Sequence, residues 1–169
     1  MAAPLLGPEA LAAHHDVGAF DCGNSALNAF LVRFALINQA SGAARTYIAL
    51  RGARVAGYYS LAAASAEPDR TPARVAKGLA SHAVPLTLIA RLAVDRSEQG
   101  AGLGSALLKD AIKRHLQAQA IIGSRALVAH AKDERAATFY ARYGFQPSPT
   151  DSLHLHLLTK DMKKTLGIR

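Results

Sequence analysis

The segment Gln99-Gly100-Ala101-Gly102-Leu103-Gly104-Ser105 has the makings of an anion cradle. It lies between an apolar run, residues 86–95, and a helical pattern, residues 103–119. Small residues in a strand-to-helix loop let several backbone N–H groups converge on one spot. The helix start adds a partial positive charge, and a Cβ there would hold an anion away. The ligand to expect is a phosphate or pyrophosphate. The nucleoside-triphosphate loop needs Gly-Lys-Ser/Thr, but Gly104-Ser105 lacks the lysine. The dinucleotide pattern G-x-G-x-x-G also fails, because Gly100, Gly102 and Gly104 follow G-x-G-x-G and position 105 is Ser.

The chain that carries this loop has 169 residues, the length of one domain, read here as 1–169. Half of it is apolar and 19% is charged, which excludes a disordered or low-complexity chain. No uncharged apolar run reaches the ~18 residues of a membrane span, and Met1-Ala2-Ala3-Pro4 is a poor secretory signal. The one cysteine, Cys22, cannot form an internal disulfide, so a cytoplasmic setting is expected. Net charge is +8, from basic residues scattered along the chain. That balance favours a polyanionic partner, with any patch assembled by folding.

The elements that must position the loop follow from periodicity. Leu27, Phe30, Leu31, Phe34 and Ile37 predict one amphipathic helix over 25–39, capped by Asn24 or Ser25 and stopped by Gly42. Strands are expected at 45–51 and 54–64 around Gly52-Ala53, at 86–95, at 126–129 and at 153–159. The helix at 103–119 turns Leu103, Leu107, Leu108, Ala111, Ile112 and Leu116 inward. Asp133 caps a short helix over 134–142 and Gly144 ends it. A last short helix is read from Asp161 to Leu166. Residues 65–85 read as a long loop with one helical turn, and 1–15 as a first strand or a frayed arm. The order gives a mixed α/β sheet rather than a doubly wound one.

Beyond these patterns, Gln99, Gly102 and Gly104 match Q/R-x-x-G-x-G/A, the pyrophosphate loop of the GNAT N-acetyltransferases. Leu88-Ile89-Ala90-Arg91-Leu92-Ala93-Val94-Asp95 resembles the strand before that loop, and Phe139-Tyr140-Ala141-Arg142-Tyr143-Gly144-Phe145 resembles the family's F-Y-x-x-x-G-F stretch. Phe20-Asp21-Cys22-Gly23, Gly42 to Tyr47, Gly57-Tyr58-Tyr59-Ser60-Leu61 and His130-Ala131 resemble one branch, the toxins of bacterial toxin–antitoxin pairs. The resemblance implies a GNAT-type sheet with splayed central parallel strands and flanking helices. It implies acetyl-CoA as cofactor, and acetylation of the α-amine of charged tRNA, which blocks translation. It also implies a ribbon–helix–helix antitoxin as partner and leaves a homodimer open. An acetyltransferase for protein N-termini or small amines, and a non-catalytic acetyl-CoA-binding regulator, are the competing readings.

The same resemblance implies site roles. Tyr140 is the expected general acid for the coenzyme A thiolate. Backbone N–H groups of Gln99, Gly100, Ala101, Gly102, Leu103, Gly104 and Ser105 should hold the pyrophosphate, and those near Leu92, Ala93 and Val94 the oxyanion. Arg45, Arg70, Arg74, Lys77 and Arg91 are candidate tRNA contacts. The family's asparagine after the second splayed strand is absent, since Ala131-Lys132-Asp133 stands there. His154 and His156 share one strand face but lack a third ligand, so no metal is expected. Cys22 reads as a packing residue, and His130 as a secondary candidate for amine deprotonation.

Overall fold

A polar cap starts the first helix. In the computed structural model, which describes residues 3–79 and 81–168, Asn24 is extended and its side chain accepts from the Leu27 N–H at 3.1 Å. The helix then runs as α1 (Ser25–Ala29), a π-helical stretch (Phe30–Phe34) and α2 (Ala35–Ser41). Gly42, at φ +82°, ends it. The inward face of this helix differs from the one its spacing predicts. The wider π turn delays the phase of everything after it, as an extra residue would. Phe30, Leu31 and Ala35 are buried, whereas Phe34 and Ile37 are 51% and 64% exposed.

Seven strands form one mixed sheet in the order β1-β2-β3-β4-β5-β7-β6. They are β1 (Leu5–Ala10), β2 (Arg45–Arg51), β3 (Arg54–Ala66), β4 (Val84–Val94), β5 (Ala126–His130), β6 (Gln146–Ser148) and β7 (Asp151–Leu158). The residues read as strand or arm thus include an edge strand antiparallel to β2; Met1 and Ala2 lie outside the described residues. The β2–β3 hairpin turns at Gly52, at φ +62°, which relieves a conformation that strains other residues. β4 and β5 are parallel and pair from Leu86↔Ala126 to Ile89↔Ala129, beyond which β4 continues to Val94. Strand β6, only three residues long and opened by Gln146-Pro147, carries no periodic pattern and was not expected.

The long loop holds a 3₁₀ turn (Pro68–Arg70) and α3 (Ala73–Ala76); Ala80 within it lies outside the described residues. Beyond it come α4 (Leu103–Gln119), α5 (Glu134–Ala141) and α6 (Met162–Leu166). Contacts group the chain into two compact units, residues 1–62 with 90–111, and residues 63–89 with 112–169. The first is built on Phe20, Phe30, Leu31, Ile48, Val55 and Tyr58. The second packs Val75, Val84, Leu86, Ala126, Val128 and Leu158. Each fully buried side chain of this size contributes about 1.5–3 kcal/mol. Among the described residues, no helix is long and apolar enough to cross a membrane.

Candidate active site

In the first unit, the end of β4 is tied down before the glycine loop begins. The Asp95 N–H donates to the Ala56 carbonyl at 2.8 Å. Its carboxylate accepts from the Asp21 N–H at 3.0 Å and from the Ser97 N–H at 3.0 Å and hydroxyl at 2.7 Å. Burial pushes that carboxyl up, but these donors and Arg54 at 3.5 Å outweigh it, so it stays ionised below its usual range. Beside it, Glu98 is buried and accepts from Arg51 at 2.7 Å. That bond holds the Glu98 carboxyl low as well.

Gln99 closes the anchor. Its side-chain amide donates to the Val94 carbonyl at 2.9 Å and to the Cys22 carbonyl at 3.1 Å. The loop then turns through Gly100 at φ +83° and Gly102 at φ +89°, where an added Cβ would meet nothing within 4 Å. Conformation, not crowding, therefore demands glycine, and the space in front of the loop is open. The Ala106 N–H returns to the Gly102 carbonyl at 3.1 Å. Helix geometry gives the amides of Leu103, Gly104 and Ser105 no carbonyl inside α4 to bond. Gly57 seats the helix start: a Cβ there would lie 3.0 Å from Leu107 and 3.1 Å from the Ala93 carbonyl.

In the second unit, β5 leads into α5 through Asp133, whose side chain accepts from the Ala136 N–H at 2.8 Å. Asp133 is thus the helix cap that its position predicts. α5 carries Tyr140, 7% exposed, with its ring 5.2 Å from Phe139 and 5.4 Å from Phe145. Burial pushes the phenol up to about 12, so it keeps its proton through the neutral range.

Across the sheet, His130 pairs with His154 in register, and their rings stack at 3.9 Å. His156 lies two residues on and is buried. No group of three His, Cys, Asp or Glu among the described residues could hold a metal ion. The His130–His154 contact depends on strand register, which the sequence pattern did not give. A further residue was missed: His115 on α4 is fully buried, with its ring nitrogens 2.8 Å from the Thr87 hydroxyl and 3.0 Å from that of Thr159. A histidine on an otherwise apolar helix face carried no separate signal.

The candidate tRNA contacts fall in both units. In the first, Arg45 is exposed at the start of β2, and Arg91 places its guanidinium 3.7 Å from the centre of the Phe30 ring. In the second, Arg70 and Lys77 are exposed, and Arg74 forks onto Asp161 at 2.8 and 3.1 Å. Cys22 is half-buried, 3.6 Å from the Asn24 carbonyl.

The acetyltransferase (GNAT) domain matches residues 42–147, a span that contains the glycine loop and Tyr140. The chain belongs to the GNAT acetyltransferase family. It is 43% identical to a tRNA-acetylating toxin of Mycobacterium tuberculosis over 160 residues, 95% of this chain and 96% of the relative. Among solved structures it is similar to AtaT complexed with acetyl-methionyl-tRNAfMet, with a TM-score of 0.86 and 30% identity over 96% of this chain and 98% of the other. It is also similar to a Tyr→Phe mutant of AtaT bound to acetyl-CoA and the C-terminus of the antitoxin AtaR. There the TM-score is 0.80, with 30% identity over 96% and 97% of the two chains.

Proposed function

We propose that this chain is an acetyl-CoA-dependent N-acetyltransferase toxin. It acetylates the α-amine of aminoacyl-tRNA, blocks translation in the cytoplasm and is held in check by a ribbon–helix–helix antitoxin. The observation that carries this reading is 43% identity to a tRNA-acetylating toxin over nearly the whole of both chains. The net charge of +8 supports a nucleic-acid substrate.

The coenzyme fits what the chain offers. The loop's glycines, with open space before Gly100 and Gly102, and the N-terminal turn of α4 suit a diphosphate. Bound acetyl-CoA supplies its acetyl group as an activated thioester. The backbone from Gln99 to Ser105 holds the diphosphate, and amides near Leu92, Ala93 and Val94 steady the carbonyl oxygen as it becomes negative. Tyr140 hands its proton to the departing sulfur. Exposed cations, Arg45 and Arg70 first among them, receive tRNA phosphates.

The deciding experiment incubates the protein with labelled acetyl-CoA and bulk charged tRNA, then identifies the labelled amino acid. Label on the α-amine of an aminoacyl group is the expected result. Label in protein N-termini or polyamines instead would overturn the tRNA assignment and favour the small-amine reading.

A further inference from the structure

The second unit contains a cavity of about 700 Å³, and of its lining residues only Arg70 has a part in the function proposed above. Its floor is apolar, made by Leu86 on β4 and Val128 on β5. Alanines 64 and 66 of β3 keep one wall low. His130, His154 and His156 line the opposite side, and Glu67, Asp69, Arg70 and Asp151 stand round it. Three features of this cavity converge on one kind of ligand.

The first is an unpaired atom. His156 is 3% exposed, and its Nδ1 has no hydrogen-bond partner. Buried polar atoms are nearly always paired, because leaving one unpaired costs about 1–3 kcal/mol. A ligand in the cavity would supply the missing partner. The second is charge. The chain is strongly basic, yet this cavity carries three carboxylates against one guanidinium. Such a site draws a cationic head, while Arg70 at its margin remains open to a phosphate. The third is the imidazole stack. His130 and His154 lie ring on ring at 3.9 Å, too close for both to be charged. Asp151 stands 3.4 Å from His154 Nε2, at the edge of the stack. Partial burial and the neighbouring His154 lower the His130 pKa, more than Asp151 raises it. His156 is neutral, held near 4 mainly by burial.

We infer that this cavity is the acceptor pocket, that it takes the protonated primary amine of an aminoacyl ester, and that His130 removes the amine's proton while His156 Nδ1 hydrogen-bonds the acceptor. The inference rests on the acetyltransferase reading above. The proton balance closes. The ammonium gives one proton to His130, which passes it to solvent at the open end of β5. The freed nitrogen forms its bond to the acetyl carbon as the carbon–sulfur bond breaks. Tyr140 protonates the sulfur, and the nitrogen's second proton makes good the one that Tyr140 gave.

Two variants and one probe test this. His130→Gln should lose about 100-fold in kcat/KM near pH 6.5, the low end of what a positioned base contributes. The deficit should shrink to a few-fold above pH 9, where an α-amine of pKa ~8 is neutral without help. Acetyl-CoA affinity should not change. A loss that is equal at every pH would overturn the role of His130. His156→Leu should raise the acceptor KM about tenfold while leaving Tm unchanged or higher, because an unpaired buried nitrogen has been removed. A lower Tm with an unchanged KM would make His156 structural only. Puromycin, an aminoacyl nucleoside with a free α-amine, should shift the imidazole NMR signals of His130 and His156 in the protein without coenzyme; unmoved signals would overturn the pocket. Should the wild-type protein acetylate a peptide amine and no charged tRNA, the substrate reading falls alone. The His130→Gln pH comparison on that amine then decides the inference.

Discussion

The side-chain amide of Gln99 clamps the Val94 carbonyl at 2.9 Å. With its second bond to Cys22, it fixes the last turn of chain before the glycine loop. Gln99→Glu would set a carboxylate against two carbonyl oxygens and open this clamp. Acetyl-CoA affinity, measured by calorimetry, should fall by up to about 30-fold, each of the two lost amide hydrogen bonds being worth about 1 kcal/mol. Unchanged affinity would mean that the loop holds its shape without the clamp.

Gly102 sits at φ +89° with open space before it. Gly102→Asp adds backbone strain and a negative charge where a diphosphate is to bind. Acetyl-CoA binding should weaken by more than 100-fold without a comparable loss of thermal stability. Wild-type affinity in that variant would remove the loop from the coenzyme site.

Tyr140→Phe removes one oxygen from a ring that is packed between Phe139 and Phe145. The fold and the coenzyme affinity should persist, and kcat should fall by 100-fold or more, the range of a positioned acid. Turnover within threefold of wild type would exclude the phenol as proton donor.

Arg70 and Arg74 are close in sequence but differ in partner. Arg74 is forked onto Asp161, whereas Arg70 is exposed. Reversal at Arg74 would set two carboxylates together and disturb α6 as well as any tRNA contact. Arg70→Glu is therefore the cleaner probe. It should reduce tRNA acetylation several-fold at low salt, less at high salt, and leave acetyl-CoA affinity alone. A salt-independent loss would point to a structural role instead.

His115 and His156 make stability depend on pH. Burial holds both near 4, against 6.5 in an unfolded chain. The unfolded state therefore binds more protons between those values, and stability falls as pH drops from 6.5 towards 4. Above 6.5 the contribution of these two residues is complete. Tm measured from pH 8 to 4 should decline from about 6.5 downward, and His115→Leu should flatten part of that decline. A level Tm down to pH 4.5 would contradict the buried, neutral assignment.

The sequence was legible where one residue type forces one geometry. Asn24 and Asp133 as caps, Gly42 and Gly144 as stops, and Gly52 at the hairpin all stand where their chemistry placed them. The glycine loop and the start of α4 followed for the same reason. What stayed hidden depends on register. The stacking of His130 on His154 is set by cross-strand alignment, and the orphaned nitrogen of His156 by what β5 and β6 leave around it. The expected part of Gln99 was its backbone N–H; that its side chain turns back to the chain carried no sequence signal.

The single wide turn at Phe30–Phe34 decides which surface of the molecule is oily. By delaying the helix it brings Gln39 round to bridge two strands' worth of backbone, accepting from the Thr46 N–H at 3.1 Å and donating to the Leu11 carbonyl at 2.7 Å. A regular helix would have swung that amide out to water and tucked Phe34 and Ile37 beneath it. One polar brace at the sheet's margin is thus exchanged for two greasy side chains facing the solvent.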